Sequence, residues 1–251
     1  MASHPVFSNS KFSDSTVLAE VAKIRKVADV PRPATAAGKA AWAMAWTHLV
    51  VWNSWRAAYF YADKVPTGDF EAFHQYATRS IQFLVEHHDA EESSLFPELE
   101  KKIPGSMAKN EEQHKAFLGP LGDMLKYVES STAEKFDAAT FRGQMDAILP
   151  AVMEHLAEEL DTIEAGKLSD KLSEEEITAL NTALHMAQRG DDNKFALPFV
   201  VQSLPPGCGF PPAPGFVKTV IGPWMLYWKY ASLWKYTAYP WKASLEPVPD
   251  F

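Results

Sequence analysis

Two stretches of the chain set an imidazole and a carboxylate at the same spacing. His87 and Glu91 lie four apart in Glu-His-His-Asp-Ala-Glu-Glu, and His155 and Glu159 lie four apart in His-Leu-Ala-Glu-Glu. On a helix, residues four apart share a face, about one turn along the axis. Imidazole nitrogens are neutral ligands for iron, copper or zinc, and a carboxylate can bridge two metals and hold them close. Adding His48 and His114 gives four nitrogens and two carboxylates, more than one tetrahedral zinc can use. Two metals are therefore the economical reading. Either pair alone also fits an ordinary contact on a solvated helix face; both together, with a histidine on each remaining helix, argue against that. His48 sits in the uncharged run of residues 41–52, where a buried imidazole needs a partner. His88 with Glu92 repeats the spacing, so it offers an alternative register or a neighbour behind the ligands. His74, thirteen residues before His87, falls on another helix face and reads as structural or exposed, and His185 and His4 have no carboxylate at ligand spacing.

Positioning those residues requires four long helices. Residues 13–30 form a capped amphipathic start, with Val17, Val21, Ile24 and Val27 at helical spacing. Residues 35–65 form the first long helix, stopped by Pro66-Thr67-Gly68, and residues 69–103 the second, stopped by Pro104-Gly105. Residues 106–131 form the third, distorted at Gly119-Pro120, and residues 137–164 the fourth, kinked at Pro150. Ser173 and three following glutamates start a further helix that runs to Arg189-Gly190. Long helices joined by short turns predict an all-α protein built on an up-down four-helix bundle. His48, His87, His114 and His155 then lie in the interiors of the four helices, one on each. The expected organisation is an N-terminal helix and lead-in (1–34), the bundle (35–165), and a C-terminal helix, proline-rich linker and aromatic helical extension packed on the bundle (166–251).

The run His87-His-Asp-Ala-Glu91-Glu-Ser-Ser-Leu-Phe-Pro97 resembles the H-x-x-x-E-E-x-x-L-F-P signature of the hemerythrin-like family, the HHE cation-binding domain. The resemblance covers roughly residues 42–164, and Leu95-Phe96-Pro97 sets the register at His87 and Glu91. It implies an antiparallel bundle around two iron ions, bridged by the two glutamates and by an oxo or hydroxo group. His48, His87, Glu91, His114, His155 and Glu159 would be the ligands. The oxygen-carrying members have H-x-x-x-H on the third helix, and here the earlier position is Asn110. That leaves one coordination position for water, dioxygen, a substrate, or Glu111 as a substitute. The region from residue 195 onward looks like the extension of fungal members.

Composition narrows the partners. With 24 basic and 32 acidic residues the net charge is −8, which opposes attraction to nucleic acid phosphates. A lone cysteine, Cys208, allows no intramolecular disulfide, and no histidine lies near it in sequence to activate it as a nucleophile. The N-terminal residues lack the basic start and apolar core of a secretion signal, so a cytoplasmic location is expected. The longest uncharged apolar run, residues 41–55, is too short to span a membrane.

Ten of the 18 prolines fall after residue 194, and the Pro205–Pro212 stretch must run as an ordered linker. Residues 216–241 carry aromatics on several faces, with Lys218, Lys229, Lys235 and Lys242 interspersed. Such a segment could lie on a membrane. Pro223 and Pro240 interrupt it, however, and the first long helix, apolar nearly all round, needs a cover. The expectation is that the two tryptophan clusters pack together and that membrane association is absent.

Three functions compete. One is a non-haem di-iron protein that binds or senses O2, peroxide or nitric oxide. Another is a di-iron oxidoreductase that activates O2 to oxidise a small organic substrate. The last is a metal-free helical interaction module. No glycine-rich phosphate loop, Ser-His-Asp arrangement or zinc ribbon is visible.

Overall fold

The computed structural model describes residues 4–188, 192–242 and 245–250. Met1-Ala2-Ser3 and the expected helix end at Arg189-Gly190 lie outside the described residues. Helix α1 (Ser15–Ala28) is capped by the Asp14 carboxylate, which accepts from the Thr16 amide. The bundle proper is α2 (Ala36–Tyr61), α3 (Phe70–Ala90), α5 (Ala108–Ser130) and α6 (Ala138–Thr162), with the short α4 (Phe96–Lys102) between the second and third and the short α7 (Ala165–Ser169) after the fourth. Each of the four contacts the next in a ring, and α6 closes back on α2. Chain reversals fall at Gly68 and Gly105, both at φ +82°, a left-handed conformation that favours glycine.

The differences from expectation have local causes. Residues 69–103 are three pieces, because a single widened turn at Glu91–Leu95 separates α3 from α4. Pro120 and Pro150 lie inside α5 and α6, each of which continues through its proline. Packing on both sides outweighs the backbone hydrogen bond that each proline forfeits.

Helix α2 is the centre of the molecule, with 21 of its 26 residues buried. Several elements cover it. Helix α1 packs on α2 and α6, and Phe7 and Phe12 of the lead-in pack on Tyr59 at 5.7 and 5.1 Å. Helix α8 (Glu174–Ala187), opened by a Ser173/Glu176 capping box, lies across α2 and the widened turn. An unanticipated helix α9 (Asn193–Gln202) precedes the proline-rich linker. The last described residues strap α2: the Arg56 guanidinium donates to the Pro249 carbonyl at 2.7 Å and meets Asp250 at 2.8 Å.

The extension departs most from expectation. It is a widened, π-type helix over Val217–Leu226, followed by short 3-10 turns rather than an α-helix. Gly222 allows this, since a Cβ there would stand 2.5 Å from the Trp241 ring. The tryptophans of the two clusters take separate partners. Trp42 packs on Phe210 of the linker at 5.8 Å, Trp234 packs on Phe195 of α9 at 5.5 Å, and Trp224 and Trp228 are 68% and 60% exposed.

Candidate metal centre

All six expected ligands converge in the bundle interior, and none is more than 2% exposed. His48 comes from α2, His87 from α3, His114 from α5, and His155 and Glu159 from α6, with Glu91 at the start of the widened turn. There the Phe96 amide donates to the Glu91 carbonyl five residues back. Pro97 has no amide to give, and the Ser94 hydroxyl donates to the Ala90 carbonyl at 2.6 Å. Such π turns recur at functional sites because they re-aim a side chain.

The donor atoms sort into two groups, each with its members within 4.8 Å of one another. One is His48, His87, Glu91 and Glu159; the other is His88, Glu91, His114 and His155. Glu91 belongs to both. Its Oε1 lies 3.0 Å from His87 Nε2, and its Oε2 lies 3.9 Å from His114 Nε2. Glu159 reaches His48 Nε2 at 3.2 Å and joins the first group.

His88 and Glu92 carry the largest revision. His88 faces inward beside His114, ring centroids 4.2 Å apart, and is a member of the second group. Glu92 lies behind it, with Oε1 2.8 Å from His114 Nδ1. Of the alternative register, His88 joins a donor group and Glu92 joins neither; neighbouring helical residues about 100° apart can flank the bundle axis and face one group each. The repeated His-His and Glu-Glu doublets were the signal. Glu111 does not replace the missing third-helix histidine. It is exposed, at a surface hollow with Glu92 and Lys115, whereas His88 occupies the second group. Asn110 is buried, and its amide contacts Met107 Sδ at 3.8 Å. His74 takes a structural role against the Val128 carbonyl at 2.8 Å, and His185 is exposed.

The ring nitrogens test whether a cation fits. A carboxylate only accepts, so His114 Nδ1 carries a proton toward Glu92, and His155 Nδ1 faces the Gln113 side-chain oxygen at 3.2 Å. Both Nε2 atoms are then left with lone pairs, and they stand 2.9 Å apart. Lone pairs facing at that distance repel unless a proton or a cation sits with them. Burial pushes the His155 imidazole down to about 3, which disfavours the proton.

Around them, both ring nitrogens of His48 and of His88, and both carboxylate oxygens of Glu91 and of Glu159, are buried without a well-formed hydrogen bond. Unpaired buried polar atoms are costly; metal coordination would satisfy one nitrogen of each ring and the carboxylate oxygens. Burial also lowers His87 to about 4 and His88 well below the usual imidazole range, leaving neutral rings, the ligating form. Burial and the neighbouring Glu159 raise Glu91 well above an ordinary glutamate. Burial opposes ionisation of Glu159 too, but the His48 imidazole 3.2 Å away and the other histidines around it outweigh burial and hold it at about 2.

Residues 57–164 match the profile of the Hemerythrin HHE cation binding domain. Over that stretch the bundle is similar to a hemerythrin HHE domain. The matched stretch includes every donor except His48, which α2 supplies from just before it. The chain is also 34% identical over 158 residues to a dimeric xanthone biosynthesis cluster protein, R11, of Cryptosporiopsis sp. (strain 8999). The similarity covers 60% of this chain and 59% of that protein. This chain thus spans about three fifths of the length of the curated relative it matches. No solved structure matches. Among the described residues no helix is long and apolar enough to cross a membrane.

Proposed function

We propose that the HHE bundle holds two irons and binds O2 between them. The observation that carries this is the division of Glu91, one oxygen toward each donor group. A carboxylate so placed suits two cations held close, as does a donor set of neutral imidazoles and carboxylates with no thiolate. When bound, an iron pair supplies the electrons for O2 binding or reduction.

The chain's own residues do the rest. Glu92, Gln113 and the Gln188 amide, 2.9 Å from His87 Nδ1, fix the orientation of three imidazoles from behind. Phe96 and Phe117 lie 5.2 to 5.5 Å from the rings of His88, His114 and His155 and keep that side dry. The metal-free interaction module is disfavoured by the number of buried unpaired donors it would leave.

A second reading, oxidation of a small organic substrate, is favoured by one feature: an apolar cleft reaches His87. The relative's place in a xanthone biosynthesis cluster agrees with a substrate of aromatic rings. The test is anaerobic loading with ferrous iron followed by measured O2 uptake. The proposal expects about one O2 taken up per pair of irons, in line with a two-metal site; uptake no greater than that of free ferrous iron in the same buffer would overturn it.

A further inference from the structure

A diatomic needs only a narrow passage, yet the approach to His87 is a hollow of about 260 Å³ between α2, α3, α9 and the proline-rich linker. A second hollow of about 280 Å³ extends it along α8, the two sharing Thr47, His185, Gln188 and Phe210. Each is near the lower end of the roughly 300–1,000 Å³ typical of small-molecule sites. The walls at His87 are Phe83, Phe210, Pro211, Val50, Leu197 and Val200. Aromatic and proline walls favour a flat ring system, which buries much area with little conformational loss.

Polar groups gather at one place, where the Gln188 amide stands 2.9 Å from His87 Nδ1, with Thr47, His185 and Glu86 nearby. No lysine or arginine lines the hollow at His87 among the described residues, where Glu86 would repel an anion; Arg32 and Lys39 line only the adjoining hollow along α8. Phosphates and carboxylates are therefore poor fits. A neutral hydroxyl or carbonyl suits the amide.

We propose that this cleft binds a neutral, flat molecule of two or three fused aromatic rings, with a hydroxyl or carbonyl oxygen turned toward Gln188 and His87. This deepens the substrate-oxidation reading and rests on it for its purpose, but the binding itself needs only the cleft.

Isothermal titration of 2-naphthol and 1-hydroxyxanthone into metal-free and iron-loaded protein, with iron measured on the same samples, tests it. Saturable binding of one molecule per chain is expected in both forms. Ala196→Trp, at an exposed position on the rim, and Leu197→Trp, deeper in the wall, should each weaken binding at least tenfold while iron content stays at the wild-type level. Gln188→Leu should erase the preference for 2-naphthol over naphthalene. Absence of saturable binding in both forms, or wild-type affinity in both tryptophan variants with folding verified by circular dichroism, overturns the proposal. Binding by protein that takes up no iron would uphold the cleft and sink only the metal reading.

Discussion

The carboxylate of Glu91 has an oxygen facing each donor group, and everything at the residue scale follows from that division. If His88 serves the second group, His88→Ala should cost about one of two irons per chain by elemental analysis, whereas Glu111→Gln, at an exposed position, should cost none. Glu92 acts one shell out, through His114 Nδ1. Glu92→Gln should lower iron affinity about 10–100-fold, as loss of such partners does, read by competition with a chelator of known affinity.

The same residues set the pH dependence of the metal-free protein. His87 and His155 are lowered to about 4 and 3, so the unfolded chain binds more protons once the pH drops below about 6.5. Their contribution is complete above that pH and is lost as pH falls through the folded values. Glu159, held at about 2, adds to the acid-side loss below the ordinary glutamate range. Glu91 runs the other way: raised by burial and by Glu159, it contributes fully at acid pH and its contribution is lost as pH rises. Thermal melts of chelator-treated protein should therefore peak at intermediate pH. Glu91→Gln should melt higher than wild type at pH 8 without metal, although it binds less iron; a lower melting temperature there would contradict this account.

At the scale of elements, the widened turn after α3 and the π-type helix of the extension were both illegible in the sequence. Residues 69–103 carry an unbroken helical pattern, and Pro97 alone does not distinguish a helix start from a bulge. What was legible were the doublets. His87-His88 and Glu91-Glu92 stood as competing registers because periodicity assigns one face to a ligand site, while this bundle places two donor groups side by side. The extension deceived for a different reason, since its aromatics suggested a buried helix, yet Gly222 fits under Trp241 and turns Trp224 and Trp228 outward. Gly222→Ala should destabilise the protein by about 1–3 kcal/mol, the usual cost of overpacking, measured by chemical denaturation. An unchanged midpoint would show that Trp241 moves aside freely.

For the whole molecule, the all-α class and the four-helix bundle were readable from turn signals and helical spacing, because proline and glycine punctuate the chain where the helices end. What covers α2 was not readable, since an all-round apolar helix says only that it is surrounded. The cover turned out to be several pieces: the lead-in phenylalanines, α8, the linker Phe210 and the C-terminal strap at Arg56. Of these, α8 and the linker also wall the cleft at His87 and supply Gln188, so the parts that complete the core also shape the approach to the candidate metal site.

The central claim is that one bundle interior grips two irons through a shared Glu91. Iron counted per chain after anaerobic ferrous loading and desalting, with electron paramagnetic resonance on the air-oxidised sample, tests it most directly. The account predicts two irons per chain and a ferric pair silenced by mutual coupling. One iron or fewer, or an isolated ferric signal accounting for all the metal, would contradict it.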